Sequence, residues 1–144
     1  MLFRCLAFVA LFTAAFTFSA VAQPKEKSQS GLLVELNAVQ DVTDACRLTF
    51  LIMNETESVI EKAVFETVIF DTNGQVVSLS LFDFRELPAD RPRVRQFDLP
   101  TRACSSVGQV LINGANTCVV GGSESDICRN ALKLNSRVKM ELLG

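Results

Sequence analysis

The amino-acid sequence predicts an all-β protein, a β-sandwich domain that follows a cleaved export signal. Three observations support this fold class. Short apolar runs alternate with polar residues along most of the chain, turn-forming residues separate these runs, and four cysteines remain after the signal. Alternation with a period of two puts successive side chains on opposite faces of a strand, so that one face is buried and the other meets water. A chain of 144 residues with this pattern is expected to form one domain around one core.

Residues 1–22 have the three parts of a secretory signal peptide. Arg4 supplies a positive amino-terminal region, residues 5–18 are apolar, and residues 20–22 match an A-x-A cleavage site. The apolar run is shorter than the ~20 residues that a membrane-spanning helix needs. We therefore expect export by the general secretory route, to the periplasm or the medium, without stable membrane insertion after cleavage.

Cleavage divides the chain into a signal peptide, a leader and a domain. Residues 23–30 are polar and are expected to be disordered, whereas residues 31–144 form the predicted β-sandwich domain. The loss of Arg4 changes the formal net charge from −2 to −3. An exported chain of negative net charge is not expected to bind nucleic acid, because that binding requires positive charge against phosphates.

Seven segments of the domain are predicted to be strands. In residues 132–142, the clearest case, the apolar residues share one parity and most charged residues share the other. The Asp71–Gly74 segment predicts a hairpin, since Asn-Gly supplies the positive φ angles of a type I′ turn. The other six strands are Leu32–Asn37, Cys46–Met53, Ala63–Phe70, Gln75–Phe82, Arg93–Leu99 and Val107–Ile112. About seven short antiparallel strands with turns between them predict a single immunoglobulin-like β-sandwich.

The four cysteines after the signal predict two disulfides. Loss of Cys5 with the signal leaves an even number, which is typical of a disulfide framework in an exported chain. The chain has no histidine and no C-x-x-C pair, so its cysteines favour neither a zinc site nor a redox dithiol. The four are Cys46, Cys104, Cys118 and Cys128.

Strand direction favours one of the three ways to pair these cysteines. If the strands alternate up and down, Cys46 and Cys104 lie at one end of the sandwich, and Cys118 and Cys128 lie at the other. Strands of this length separate the ends by about 20 Å, whereas a disulfide requires Cα atoms within roughly 7 Å. We therefore expect Cys46–Cys104 and Cys118–Cys128.

One stretch of the chain resembles a known family. Residues 65–74 follow the Asn54–Thr56 turn and end in Phe70-Asp71-Thr72-Asn73-Gly74, which is similar to the aromatic-Asp-x-x-Gly hairpin of FxLYD-type domains. Residues 87–97 resemble the segment that leads into the next strand of those domains, so the resemblance covers about residues 46–100. The chain differs in having Phe70 where tyrosine is usual, and in its four cysteines. The resemblance implies a β-sandwich module of a small exported bacterial protein, with an interaction or accessory role and no catalytic residue.

The sequence offers little for catalysis. The absence of histidine removes the commonest general base and the usual catalytic triads. The remaining carboxylates lie in polar turns, where solvated acids are the ordinary outcome, so a carboxylate-based hydrolase is the most remote reading. We expect no enzymatic activity, no cofactor and no metal. The carboxylates considered are Asp41, Asp44, Glu55, Glu57 and Glu61.

Arg91, Arg93 and Arg95 are the candidate binding residues. At this spacing they project from one face of an extended segment, where they could contact phosphate or carboxylate groups in a bidentate manner. The intervening Pro92 is typical of an edge strand, and charges at an edge also prevent association between sheets. Both interpretations remain open at the level of sequence, and protection of an edge is favoured.

The sequence as a whole favours an exported, non-catalytic module that binds a protein of the bacterial envelope through its loops or by strand addition at an edge. The alternative is a secreted inhibitor that acts through the Cys118–Cys128 loop, although this loop has no aromatic or arginine anchor. The mature phenylalanines are read as core residues, with Phe82 or Phe84 a candidate for an exposed ring. The partner and the oligomeric state have no readable signature.

Overall fold

The computed structural model describes residues 30–144, so the predicted signal peptide and residues 23–29 of the leader lie outside the described residues. Within the described range, no helix is long and apolar enough to cross a membrane. A 3-10 turn, Cys104–Ser106, and a one-turn helix α1, Ile127–Asn130, interrupt nine strands. The strands are β1 (Leu32–Val42), β2 (Ala45–Asn54), β3 (Ile60–Asp71), β4 (Val76–Leu87), β5 (Arg93–Pro100), β6 (Val107–Val120), β7 (Ser123–Glu124), β8 (Leu132–Ser136) and β9 (Glu141–Leu143).

The strands form two sheets that pack as a sandwich. One sheet has the order β5-β2-β1-β8, and the other has the order β4-β3-β6, with β7 and β9 both on the far side of β6. The order β5-β2-β1 against β4-β3-β6 corresponds to the E-B-A and C′-C-F strands of an immunoglobulin-like sandwich. The predicted fold class is confirmed. Two pairings are parallel, however: β8 beside β1 and β9 beside β6.

Both predicted disulfides are confirmed. Cys46–Cys104 has a Cα–Cα distance of 4.7 Å, and Cys118–Cys128 has one of 6.0 Å. The first bridge ties the start of β2 to the connection between β5 and β6. The second ties the end of β6 to α1. The end-of-sandwich argument therefore identified the correct pairs.

The prediction of one strand over residues 132–142 is wrong, because this segment forms β8 in one sheet and β9 in the other. The chain turns between them, where the Arg137 N–H donates to the Leu36 carbonyl at 3.0 Å. The Ser136 hydroxyl lies 2.5 Å from the carbonyl oxygen of Met140. Apolar residues before and after the turn face the same core. The alternation therefore continues through the turn and gives no sign of the change of sheet.

Three strands, β1, β4 and β6, run at least five residues beyond their predicted ends. β1 continues to Val42 past a register shift between Leu36 and Ala38. β6 continues past its predicted end at Ile112 and through Asn113-Gly114, a turn-forming pair, and three register shifts interrupt its pairing with β3. β4 continues to Leu87 through a similar irregularity. Bulges of this kind insert an extra residue and break the alternation on which the prediction depends.

The core between the sheets is centred on a cluster of phenylalanines. Phe82 and Phe84 are 4% and 0% exposed, so neither provides the exposed ring that the sequence left open. Phe82 stacks on Phe97 with ring centroids 4.1 Å apart, and Phe50 meets Phe84 edge to face at 5.5 Å. Burial of each ring stabilises the fold by about 1.5–3 kcal/mol. These contacts join β2, β4 and β5 on one side of the sandwich.

Candidate docking edge

The two sides of the sandwich differ in how they are closed. β4 and β5 are terminal strands of the two sheets and lie on the same side, which we call the open side. Within residues 30–144, β4 pairs only with β3, and β5 pairs only with β2. On the opposite side, which we call the closed side, the chain itself passes from β8 to β9.

Arg95 spans the open side. Its Nε donates to the Phe84 carbonyl at 2.8 Å, and one terminal nitrogen donates to the Glu86 carbonyl at 3.2 Å. Burial lowers the pKa of Arg95, and the charges of Arg85 and Arg93 lower it further. Arginine nevertheless stays protonated in proteins. This candidate binding residue therefore reaches from β5 to the edge of β4 and ties the two sheets together. We call such an arginine a brace.

Arg102 is a second brace, which sequence reasoning did not single out. One of its terminal nitrogens donates to the Val77 carbonyl at 2.9 Å. Arg102 and Arg95 thus hold the two ends of a six-residue stretch of β4, residues 78–83, which we call the β4 window. The role of Arg102, which lies just after β5, could have been inferred only with knowledge of which strands are terminal.

The three predicted arginines do not act as one ladder. Arg93 and Arg95 lie in β5, where they share inward parity with Phe97, and Arg93 donates to the Pro92 carbonyl at 3.1 Å. Arg91 precedes the strand and is exposed. β5 is an edge strand, as Pro92 predicts. The structure brings Arg85 of β4 into the electrostatic neighbourhood of Arg95, in place of the third predicted member.

The direction in which the N–H and C=O groups of β3 point shows which backbone groups of the β4 window do not pair with β3. The Asp71 N–H donates to the Gln75 carbonyl, so Asp71 directs its backbone groups toward β4. Along a strand, the N–H and C=O groups of successive residues point to opposite sides. Thr67, four residues before Asp71, therefore also directs its backbone groups toward β4, and those of its partner Ser80 point toward β3. Leu79 and Leu81 consequently direct their N–H and C=O groups away from β3, to the free edge.

The side chains of this edge are apolar and exposed. Val76, Leu79 and Leu81 are 60%, 60% and 56% exposed, and the stretch 75–82 contains no charged residue. Single exposed apolar residues are ordinary, but a run of them on a free edge is a template for pairing with another strand. An apolar row continues from this edge across the outer face of the sheet through Leu79, Val68, Leu111 and Leu143.

A cleft of about 530 Å³ lies between β4 and β5 on the inner side of the β4 window. Ser78 and Ser80 line it, with their hydroxyl oxygens 3.5 Å apart. Opposite Ser80 in the sheet lies Thr67, which is fully buried, and its hydroxyl has no hydrogen-bond partner within the described residues. The inner wall of the open side therefore carries the two serine hydroxyl groups, whereas the Thr67 hydroxyl is enclosed in the core.

Asn54 fixes the far end of β4 to the other sheet. Its side-chain nitrogen donates to the carbonyls of Leu87 at 2.7 Å and Ser58 at 2.9 Å, and its side-chain oxygen accepts from the Thr56 hydroxyl at 2.6 Å. Asn54 is 1% exposed. The Asn54-Glu55-Thr56 triplet, which matches a glycosylation motif, therefore serves as a buried connection between β2 and β4.

The closed side is held by a polar cluster around Glu35 of β1. This buried carboxylate accepts hydrogen bonds from Asn37 at 2.8 Å, Asn135 at 2.7 Å and Arg137 at 3.1 Å. The Asn37 hydrogen bond is the main cause that holds the pKa of Glu35 below its usual value, with contributions from Asn135 and Arg137. Two of the three donors come from β8 and the turn after it, so the cluster fixes β8 beside β1.

The carboxylates that were considered for acid–base chemistry are used in part as backbone acceptors. Asp41 accepts from the Cys104 N–H at 2.7 Å, and Glu61 accepts from the Gly122 N–H at 3.2 Å. Asp44 lies in the β1–β2 turn with φ 54°, and its carbonyl accepts from Thr101 at 2.7 Å. In the described part of the chain, no group of three or more His, Cys, Asp and Glu side chains could hold a metal ion.

The Cys118–Cys128 loop is a folded hairpin. β7 pairs back onto Val119 and Val120 of β6, and the turn between them uses Gly121 and Gly122 with φ angles of 58° and 76°. Cys128 is fully buried in α1. A polar pocket of about 310 Å³ beside this hairpin is lined by residues that include Asn116, Glu124, Asp126 and Arg129.

Comparison with protein-family models, curated proteins and solved structures finds no match to this chain. A turn does form at residues 71–74, and the Asp71 carboxylate accepts from the N–H groups of Asn73 and Gln75 at 2.8 and 2.9 Å. The predicted type I′ is wrong, because Gly74 has a positive φ of 79° and Asn73 does not have a positive φ. The FxLYD-type resemblance stays a prediction, since such a hairpin is not specific to one family.

Proposed function

We propose that this protein is an exported, non-catalytic module that binds a polypeptide by strand addition at the free edge of β4. The observation that carries the proposal is the β4 window between the two arginine braces, where Leu79 and Leu81 are exposed and the first five residues carry no charge. Main-chain hydrogen bonds supply affinity in this mode of recognition, and contacts with alternate side chains supply specificity.

The β4 window offers both kinds of contact. Leu79 and Leu81 direct their backbone groups to the free edge, and their side chains provide apolar surface on the outer face. A docked strand would direct its other side chains inward, toward the hydroxyl groups of Ser78 and Ser80 in the cleft. The braces at either end hold the strand in place before a partner arrives, which lowers the cost of ordering it on binding.

The other edge of the open side has charged residues and a proline, which residues 76–82 of β4 lack. In β5, Asp98 accepts two hydrogen bonds from Arg47 of β2 at 2.7 and 2.8 Å, and these hold the pKa of Asp98 below its usual value. Pro92 and Arg93 stand at the start of the same strand. Natural edges are commonly blocked by charges and proline in this way. The contrast favours a binding role for β4.

Export is part of this proposal. The two disulfides fit an oxidising compartment, where such bonds form and persist. The partner then has to reside in the same compartment, in the bacterial envelope or outside the cell. The predicted signal at residues 1–22 supports this location.

Site-specific photo-cross-linking in cells that export the protein tests the proposal. A benzophenone amino acid replaces Leu79 or Leu81, and in a matched control it replaces Val94, which is 55% exposed in β5 on the other sheet. We expect discrete cross-linked products from positions 79 and 81 and none from position 94. Products of equal yield from all three positions, or from none, would contradict docking at β4.

A further inference from the structure

We infer that the strand which docks on β4 is β4 of a second copy, so that the two copies form a closed homodimer. This inference rests on the proposed function, because it uses the same free edge. The two β4 windows run antiparallel across a two-fold axis at Ser80. Their sheets then join into one continuous sheet.

The register follows from where the free backbone groups and the leucines lie. With the axis at Ser80, Leu79 of each copy faces Leu81 of the other, and both residues direct N–H and C=O groups to the shared edge. All four leucines, each more than half exposed in the single chain, are then in contact with apolar partners. Every such hydrogen-bonded pair lies inside the β4 window.

Neighbouring registers are less favourable. Moving the axis to Leu81 places Leu79 opposite Asp83 of the other copy, which sets an apolar side chain against an exposed carboxylate. Moving the axis to Leu79 places Leu81 opposite Val77, whose carbonyl is already taken by Arg102. Only the axis at Ser80 pairs the leucines with each other. Asp83 and Val77 then face each other beyond the leucine pairs, where the Val77 carbonyl keeps its hydrogen bond from Arg102.

The charged residues of β4 are compatible with the same register. Asp83 faces Val77 of the other copy, and Arg85 faces Gln75, so no like charges stand opposite each other. The Gln75 N–H binds the Asp71 carboxylate at 2.9 Å, and Arg85 is therefore brought beside a turn of opposite charge. Exposed like charges at a sheet junction would instead oppose pairing.

Symmetry explains why a second copy fits better than a foreign strand. A two-fold pairing is isologous and uses the same surface on both subunits, so it covers both apolar edges and leaves none free. A foreign strand would need its own apolar residues opposite Leu79 and Leu81 and its own small or polar residues opposite Ser78 and Ser80. In the dimer these positions match because the sequence faces itself, with Ser80 opposite Ser80.

Cysteine substitution tests the register directly. Residues opposite each other in a non-hydrogen-bonded antiparallel pair have Cα atoms about 4.5 Å apart, within the range of a disulfide. We expect Ser80→Cys to give a disulfide-linked dimer on a non-reducing gel. Ser78→Cys is the matched control, because the two copies of residue 78 are offset along the strands by about 13 Å. Mass mapping confirms that the two native disulfides are unchanged.

Analytical ultracentrifugation of the purified exported protein completes the test. We expect a dimer for the wild type and a dimer dissociation constant raised by about 100-fold or more for Leu79→Lys with Leu81→Lys. Val94→Lys, at a similarly exposed residue of β5, should leave the dimer unchanged. Circular dichroism checks that each variant is folded.

The outcomes separate this inference from the function on which it rests. A monomer at all concentrations overturns the homodimer, and so does equal cross-linking of Ser78→Cys and Ser80→Cys. If position 81 then cross-links in cells to a different protein, docking at β4 stands while the homodimer fails. If position 81 gives no product at all, both fail.

Discussion

On the closed side of the sandwich a short turn joins β8 directly to β9 across the two sheets. On the open side residues 88–92 join only the end of β4 to the start of β5, and two arginine side chains hold the rest of β4 to the other sheet. The closed side has the β8–β9 turn, the Glu35 cluster and the nearby Cys118–Cys128 bridge. The open side has Arg95, Arg102 and the stacked rings of Phe82 and Phe97. Closure by the chain leaves little edge for a partner, whereas closure by side chains leaves a strand whose backbone can still pair. The difference locates binding capacity on the open side.

Removal of either disulfide has the largest expected effect on the free energy of unfolding and measures how much each bridge stabilises the fold. Cys46→Ala with Cys104→Ala should lower the free energy of unfolding by about 4 kcal/mol, because the bridge closes the longer loop. Cys118→Ala with Cys128→Ala should lower it by about 3 kcal/mol, because its loop is short and the β8–β9 turn still connects the sheets. Urea unfolding followed by circular dichroism measures both. A larger loss at Cys118–Cys128 would contradict the comparison.

Arg95→Ala addresses the open side alone. Loss of the two hydrogen bonds to the Phe84 and Glu86 carbonyls should lower the free energy of unfolding by about 1–2 kcal/mol, since these bonds are charge-assisted but partly exposed. Arg91→Ala is the control, and its effect should stay within about 0.5 kcal/mol because this residue is exposed and precedes β5. Thermal unfolding measures both. Equal effects of the two substitutions would show that the hydrogen bonds from Arg95 to β4 do not stabilise the fold.

The smallest effect compares one hydroxyl from each side, with opposite expected signs. Thr67→Val should raise the free energy of unfolding by about 1 kcal/mol, because the buried hydroxyl near the open side has no partner among residues 30–144. Ser136→Ala should lower it by about 1 kcal/mol, because its hydroxyl binds carbonyls of the β8–β9 turn. Denaturant titration resolves the two signs. Destabilisation by Thr67→Val would mean that its hydroxyl is satisfied.

The sequence predicted those parts of the fold that depend on local pattern. Period-two alternation located the strands from β1 to β6, the Asn-Gly turn located the β3–β4 hairpin, and strand direction selected the disulfides. It failed at residues 132–142 because a chain that changes sheets around one core keeps its apolar parity. It also failed at Asn113-Gly114, where bulges let β6 continue through residues that usually make a turn.

The candidate site was predicted only in part, for a different physical reason. Arg93 and Arg95 were correctly placed on an edge strand because Pro92 marks such strands locally. The identity of β4 as the second edge depends on which strands pair at long range, and no local pattern reports that. From the sequence alone, Leu79 and Leu81 therefore look like the apolar residues of an ordinary strand with one buried face. Arg102 and Thr67 gained significance only from their positions relative to β4.

The disulfide connectivity has a consequence for the order of events during biogenesis. Among residues 30–144, each bridge joins a cysteine to the next one along the chain, Cys46 to Cys104 and Cys118 to Cys128. A chain that enters an oxidising compartment with its amino terminus first presents these thiols one after another. An oxidase that pairs each arriving thiol with the one still free before it produces the native set directly. For the exported protein that we propose, this order requires a donor of disulfides but no isomerase, and it avoids slow thiol–disulfide reshuffling.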